Sequence, residues 1–522
     1  MDTLTLRVNI HRLSLLAIVA GTCFLLYGCG EQQANTNPGN RPNVIFILVD
    51  TLRADRLGCY GRSGNLSPWM DELAREGILC QRAIATAPWT LPSVASYFSG
   101  LFPSVHKVTN YTEAMEEIGS PGGTVRYFGD QFTTFPELLQ NNGYLTAGFS
   151  ANPFISETLG FAQGFDHFDS SFAANETPGN IVNEAALNWL KMRDRSKPFF
   201  LYLHYMDIHD PYRADDRFVD PLVDAVSRQP QKSSLSQHEL VKHGHFFAKS
   251  ALAYQNNPKH ISLFTYAEYW RARYDAGVPQ INEYLNQLRA RLIQMKLWDD
   301  TYVIITADHG ESLGEHGAWA HGLSAHQDQL HVPLILRWPG HIPADRRITP
   351  TVRLFDVLPT LLEQLNIPLP EKIQARSFAD LISGPNSGST QRPPAFAEAV
   401  KQRPNEKALV LDNWKLLAYL NRDHFALYDL DRDPTEKQDV AADFPDVVDK
   451  LKKLLFAQIS ENETLGAGIE VQEKGITAEE RRRLIELGYL DEDIPSSEFQ
   501  PADPQPHSQP ATNPTSPPPP HP

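Results

Sequence analysis

Six side chains in this sequence suit metal binding, ester chemistry and proton transfer together: Asp50, Thr90, His209, Asp308, His309 and His321. Asp50 directly follows the apolar run Val44 to Val49. Asp308 and His309 come just after Tyr302 to Thr306, and His209 just after Phe199 to Met206. Two carboxylates and an imidazole form a sensible ligand set for a divalent cation, with room for the Thr90 oxygen and one substrate oxygen. Such a cation lowers the pKa of an alcohol and neutralises an anionic substrate. His209 and His321 are suited to give protons or positive charge to a leaving group and to the free oxygens of an anion. Thr90 sits in Ala87-Pro88-Trp89-Thr90-Leu91-Pro92-Ser93-Val94-Ala95-Ser96, which reads as a loop opening a helix that Gly100 stops. Its hydroxyl therefore has two readings, a plain helix cap or a nucleophile at a helix mouth that also attracts anions.

The elements that must position these groups are strands alternating with helices. Val44 to Val49 is wholly apolar, as strands buried on both faces of a parallel sheet are. Gly143 to Phe149, Phe199 to Met206, Tyr302 to Thr306 and Val332 to Arg337 read as further strands. Helices are expected over Pro68 to Glu76, Phe135 to Asn141, Asn183 to Met192, Ile281 to Leu297 and Val357 to Leu365. The pattern predicts an α/β domain with a mostly parallel central sheet. Parallel strands end on one edge, so Asp50, His209, Asp308 and the Ser150-Ala151-Asn152 turn converge where open α/β sheets bind ligands. Between Pro211 and Lys259 the pattern dissolves into polar, His- and Gln-rich sequence, an excursion expected to border the site. Beyond Arg392, Ala408 to Leu420 and His424 to Leu430 read as short antiparallel strands, with a helix from Val447 to Glu461, a smaller C-terminal α+β subdomain.

The chain has 522 residues, a net charge of −16 and 41% apolar content. That charge, with no Lys/Arg block, speaks against a nucleic-acid partner. Leu13 to Tyr27 is apolar but short for a membrane span. It ends in Leu26-Tyr27-Gly28-Cys29, which resembles a bacterial lipobox. The expectation is a signal peptide over 1–28, lipidation at Cys29, a polar linker over 29–41, and a body tethered to a membrane at the cell envelope, facing the periplasm or exterior. Cys59 and Cys80 pair or remain buried thiols; the sequence leaves both open. From Pro495 the chain is Pro-, Ser- and Gln-rich and cannot build a core, so a disordered tail is expected over 495–522.

These residues resemble the sulfatase family of the alkaline phosphatase superfamily. The likeness runs through Arg41-Pro42-Asn43-Val44, Val49-Asp50-Thr51-Leu52-Arg53-Ala54-Asp55, Cys59-Tyr60-Gly61, the Thr90 stretch with Ser99-Gly100-Leu101-Phe102-Pro103, and Asn142-Gly143-Tyr144. It continues at His209-Asp210-Pro211-Tyr212, Thr306-Ala307-Asp308-His309-Gly310-Glu311, Val332-Pro333-Leu334, Leu427-Tyr428-Asp429-Leu430 with Asp433-Pro434, and Leu487-Gly488-Tyr489-Leu490. It implies an alkaline-phosphatase-like fold, a catalytic domain over 42–391 and a C-terminal subdomain over 392–494. It also implies one divalent metal cation, Ca2+ or Mn2+ before Zn2+. Asp50, Thr90, Asp308 and His309 map onto metal positions, His209 onto a substrate-binding histidine, and His321 near a basic residue that touches substrate.

Three departures stand out. Sulfatases proper carry a Cys or Ser nucleophile, oxidised to formylglycine and supported by an Arg; here Thr90 and Val94 take those places. A second Asp after the first strand is replaced by Thr51. The Lys and His that often follow the Gly-Tyr strand are absent, with Phe149, Ser150 and Asn152 there instead. A formylglycine hydrate expels sulfate by collapsing to the aldehyde, which an ordinary alcohol cannot do. The expected function is a metal-dependent hydrolase of sulfate or phosphate esters with Thr90 as nucleophile, its substrate an anionic ester on a glycan or lipid. The alternatives are a phospho-alcohol transferase or phosphodiesterase acting on envelope lipids or glycans, and a catalytically silent anion-binding protein.

Overall fold

The computed structural model describes residues 41–109, 111–112, 124–174, 177–252, 257–322, 324–384, 392–400, 405–475 and 477. The expected signal peptide, Cys29, the linker up to residue 40, the Leu487–Leu490 motif and the Pro-rich tail lie outside these residues. The chain divides into two units, 1–42 and 43–522, and everything below concerns the second. Among the described residues no helix is long and apolar enough to cross a membrane.

An eight-stranded sheet forms the centre. Its strands are β1 (Asn43–Val49), β2 (Ile78–Cys80), β3 (Leu145–Ser150), β4 (His167–Asp169), β5 (Phe199–Tyr205), β6 (Thr301–Thr306), β7 (Leu334–Arg337) and β8 (Arg346–Ile348), in the order β8-β2-β7-β6-β1-β5-β3-β4. All neighbours are parallel except β7, which is antiparallel to both β6 and β2. The expected strand over Val332 to Arg337 is broken at Pro333, which has no N–H for a ladder. His331–Val332 pairs with Ala83–Ile84 instead, and only Leu334–Arg337 joins the main sheet. Val44 to Val49 is buried throughout, flanked by β5 and β6.

Helices cover the sheet as α/β architecture demands. Those that matter here are α1 (Pro68–Glu76), α2 (Thr90–Ser99), α3 (Gly179–Met192), α4 (Asp216–Ser227), α5 (Ala267–Gln294), α6 (Val357–Gln364) and α7 (Pro445–Gly466). Helix α5 begins well before Ile281. Pro279 inside it reads as a helix end, yet the turns around it are buried through Tyr269, Trp270, Tyr274 and Val278, and that packing carries the helix across the proline. The excursion after Pro211 is also more ordered than its composition suggests. Val219, Val223 and Val226 make a buried stripe on α4, and Ser236 with Glu239 forms a capping box for a short helix over Gln237–Lys242. Phe246 and Phe247 from this region pack against Trp319.

The C-terminal subdomain is a four-stranded antiparallel sheet, β9 (Ala395–Ala399), β10 (Glu406–Leu411), β11 (Trp414–Tyr419) and β12 (His424–Asp429), with α7. The run Ala408 to Leu420 is thus two strands, turned at Asp412, whose φ is 57°. Glu398 on β9 ties this sheet to the body, its Oε1 accepting from Ser104 N at 3.1 Å and Ser104 Oγ at 2.8 Å. Cys59 and Cys80 are unpaired thiols.

Candidate active site

Thr90 is the first residue of α2, not its cap. Trp89 holds the cap position with extended backbone, and no side chain caps the helix. The Thr90 hydroxyl instead lies 3.1 Å from His309 Nε2 and 3.5 Å from Asp50 Oδ2. Gly100 ends the helix in the left-handed region with φ 69°, and its N–H donates to Ser96 O. Two bonds fix α2 against the end of β6. Ser93 Oγ donates to Asp308 O and Tyr97 Oη to Ala307 O, each at 2.7 Å.

Asp50 and Asp308 are fully buried, and each keeps one carboxylate oxygen, Oδ1 and Oδ2 respectively, without a hydrogen-bond partner. His309 Nε2 lies 3.8 Å from that Asp50 oxygen and 3.4 Å from that Asp308 oxygen. His309 Nδ1 sits 2.9 Å from Gly310 O, a carbonyl that only accepts, so Nδ1 carries the proton and Nε2 presents its lone pair. Two orphaned carboxylate oxygens, an imidazole lone pair and an alcohol thus converge on one buried spot. Two buried carboxylates side by side are costly to ionise, and this donor set fits a divalent cation. Burial, then the neighbouring Asp50 charge, pushes the Asp308 carboxyl above its ordinary range. Burial also opposes ionisation of Asp50, but the hydrogen bond from His204 and the electrostatic pull of the neighbouring His209, His309 and His204 imidazoles outweigh it, and its pKa falls to about 2.

His204 is a site residue that the sequence reading passed over. On β5, its Nε2 lies 3.1 Å from Asp50 Oδ2, and its Nδ1 3.0 Å from Tyr202 Oη. A proton on Nε2 donating to the carboxylate, with Tyr202 donating to Nδ1, satisfies both nitrogens. Asn152 Nδ2 donates to the same Asp50 oxygen at 2.7 Å. These two donors aim Oδ1 at the convergence point. One imidazole two residues from a tyrosine in an otherwise apolar run, so on one strand face, was the available signal for His204.

The departures from the family pattern have visible consequences. Thr51 turns its hydroxyl back to Asp50 O at 2.7 Å, and its N–H lies 3.4 Å from Asp308 Oδ1. It replaces a carboxylate with a group that orients Asp308 and offers no ligand. Val94 is fully buried, one turn after Thr90. The remaining histidines close the site. His321 packs its ring 4.7 Å from that of His309 and 4.9 Å from that of His209, centroid to centroid. His321 Nδ1 is 3.1 Å from Oε1 of the buried Glu311, while His209 Nδ1 donates to Asp210 O at 2.8 Å. All six residues chosen from sequence therefore meet in one place.

A sulfatase family model matches residues 42–367, more than half of the chain. The chain belongs to the sulfatase family. That makes it an ester hydrolase by family. A second model, described as N-sulphoglucosamine sulphohydrolase, C-terminal, matches residues 314–462 and covers the subdomain. An N-acetylglucosamine-6-O-sulfatase of Bacteroides thetaiotaomicron is 25% identical over 80% of this chain and 85% of its own length. Mouse arylsulfatase K is 24% identical over 85% of this chain and 84% of its own. Among solved structures, an enzyme in complex with its substrate D-glucosamine-2-N,6-O-disulfate shares the fold at a TM-score of 0.62, with 22% identity over 82% of this chain and 98% of that one. The phosphonate monoester hydrolase of Agrobacterium radiobacter does so at 0.61, with 20% identity over 81% of this chain and 96% of that one.

Proposed function

We propose that this sulfatase-family chain is a metal-dependent hydrolase of sulfate or phosphate esters with Thr90 as nucleophile, and that phosphoryl transfer suits it better than sulfuryl transfer. The observation that carries this reading is the Thr90 hydroxyl. It sits at the mouth of α2, caps nothing, and lies among Asp50, His309 and the orphaned Asp308 oxygen. A cation held by Asp50, Thr90, Asp308 and His309 would lower the pKa of the hydroxyl and offset the charge of the ester. Ca2+ and Mn2+ remain the first candidates on the two carboxylates, and the imidazole keeps Zn2+ as the next. Thr90 Oγ1 gives its proton to solvent and bonds to phosphorus or sulfur. The bond to the alcohol breaks, and the alcohol takes a proton from His209 or His321. Water then attacks the same centre, giving a proton to the histidine that had lost one, and the bond to Thr90 Oγ1 breaks, the oxygen taking its proton back from solvent.

The second half decides between the two esters. A threonine ester has no aldehyde to collapse to, so water must attack the central atom directly. A phosphothreonine at such a site is open to that attack, and a sulfothreonine less so. The relatives named for glucosamine sulfates make an anionic glycan ester the first substrate class to test. The test is a side-by-side assay with an aryl sulfate, a phosphate monoester and a phosphate diester, each with and without Mn2+, Ca2+ or Zn2+. Turnover by wild type and its loss in Thr90→Ala support the reading. Full turnover in Thr90→Ala refutes the nucleophile, transfer to an added alcohol rather than water moves the chain to the transferases, and silence of metal-loaded wild type on every ester favours an anion-binding protein. We also propose that Cys29 tethers the body to a membrane. Cys29→Ser should release it to the soluble fraction, and membrane retention of that variant would refute lipid tethering.

A further inference from the structure

We propose that the C-terminal sheet is a positioning element of the active site, acting through Glu406 and Glu436 on the backbone that carries His321. The proposal rests on the role given to His321 above. The backbone around this histidine is irregular, with Ala320 at φ 70° and Gly322 at φ 78°, and the two-residue ladder of Trp319–Ala320 with Ser312–Leu313 ends immediately before it. On the side toward the nucleophile, Gly322 N donates to Pro88 O at 2.7 Å. On the other side two buried carboxylates of the C-terminal subdomain take over. Glu406, at the start of β10, accepts from Ser324 Oγ and from Ala325 N with the same Oε1, both at 2.6 Å. Glu436, in the turn after β12, accepts from Gln327 N at 2.6 Å and from His326 Nδ1 at 3.0 Å with Oε2. Its other oxygen lies 2.5 Å from the ammonium of Lys415 on β11. Glu406 and Glu436 are 2% exposed and Lys415 is fully buried.

Four donors from four consecutive residues, Ser324 to Gln327, thus end on two carboxylates of another sheet. Charge-assisted bonds to carboxylates in a dry setting are strong and directional. Ser324 is three residues from His321, so a shift of the clamped segment is passed to the imidazole with little chain to absorb it. A misplacement of about 1 Å in a reacting group costs about a hundredfold in rate. The clamp also gives the subdomain a physical part in a site to which it contributes none of the six residues: it holds the loop.

The test uses the full chain and two independent readouts. The first is hydrogen exchange. In Glu406→Ala, amides in peptides covering His321 and Ser324–Gln327 should exchange about tenfold faster, with β1 and α2 unchanged. The second is kinetics on whichever ester the wild type hydrolyses. Glu406→Ala should lower kcat about tenfold with KM changed less than about threefold, and Glu406→Gln, which keeps an acceptor oxygen, should retain most of the rate. In a His321→Ala background Glu406→Ala should change kcat less than about twofold, because the two act as one unit. A merely structural glutamate would lower activity equally in both backgrounds, and that result overturns the proposal. So does unchanged exchange in the clamped segment. Where Glu406→Ala does not fold, Ser324→Ala removes one clamp bond and is read the same way: faster exchange at Ala325–Gln327 supports the clamp and no change refutes it. If wild type hydrolyses no ester, the reading of His321 fails, while the exchange measurement still decides the clamp.

Discussion

Replacing Glu436 by glutamine should destabilise the protein at neutral pH by an amount that shrinks with acid. Burial opposes ionisation of Glu436, but the Lys415 ammonium and the His326 imidazole outweigh it, and its pKa falls from 4.5 to about 2. A carboxylate with a depressed native pKa adds stability that is present in full above its unfolded pKa and lost as pH falls toward its folded one. The whole difference is worth about 3 kcal/mol. Integrating the linkage from pH 7 down, about 0.8 kcal/mol of it is gone by pH 4 and about 2 kcal/mol by pH 3. The Lys415 charge that Glu436→Gln leaves buried without its partner is part of that difference, because its attraction is what holds the Glu436 pKa down. The assay is urea unfolding of wild type and variant at pH 7, 5, 4 and 3. The gap between them should be about 3 kcal/mol at pH 7 and should narrow by those amounts toward acid. Adding Lys415→Met to Glu436→Gln should recover part of the loss, since a neutral pair leaves no orphaned charge. A gap that stays constant from pH 7 to pH 3 would refute the claim that ionised Glu436 ties the subdomain to the site loop.

Other outcomes follow from the same geometry. Asp308→Ala removes one of two orphaned carboxylates, so elemental analysis of the purified protein should show metal in wild type and little in the variant; equal content would remove the metal site. His204→Ala takes away a donor that aims Asp50 and should weaken metal binding about 10- to 100-fold in a metal titration, and unchanged affinity would show that Asn152 aims Asp50 without it. Burial raises Asp207 to about 6 against the bonds it receives from Gly179 N and Gln280 Nε2. The native state then binds that proton more tightly than the unfolded chain, so stability falls as pH rises from 3.8 toward 6. Asp207→Asn should remove that component, seen as a flatter dependence of the urea midpoint on pH. Val94→Arg puts a guanidinium into a fully buried place beside Thr90 and should unfold the protein or lower its melting temperature steeply; a stable variant would mean the site has room for the family's arginine.

The strands were legible because strands buried on both faces are written as unbroken apolar runs, and β1, β5 and β6 are such runs. The site was legible because parallel strands deliver their ends to one edge, so Asp50, His209 and Asp308-His309 had to meet. Other features were not, each for a local reason. Antiparallel β7 is as apolar as the parallel strands of the sheet, and direction leaves no mark on composition. His204 lies inside a strand, where a lone imidazole reads as core. The role of the Thr90 hydroxyl depends on where the helix starts by one residue, and Trp89 is not a residue that advertises a cap. Helix α5 runs through Pro279 because tertiary packing overrides the proline. Glu406 and Glu436 belong to sequence that reads as an ordinary hairpin rim, and only the three-dimensional contact with Ser324–Gln327 reveals what they hold.

The central claim is that Thr90 forms the covalent intermediate. The direct measurement is rapid acid quench of enzyme mixed with an aryl phosphate and, separately, an aryl sulfate, followed by mass spectrometry of the peptide containing Thr90. A phosphoryl group is expected on Thr90 during turnover, absent in Thr90→Ala, and a sulfuryl group that forms but is released more slowly. Steady turnover with Thr90 unmodified at every quench time, or the same rate in Thr90→Ala, would contradict it.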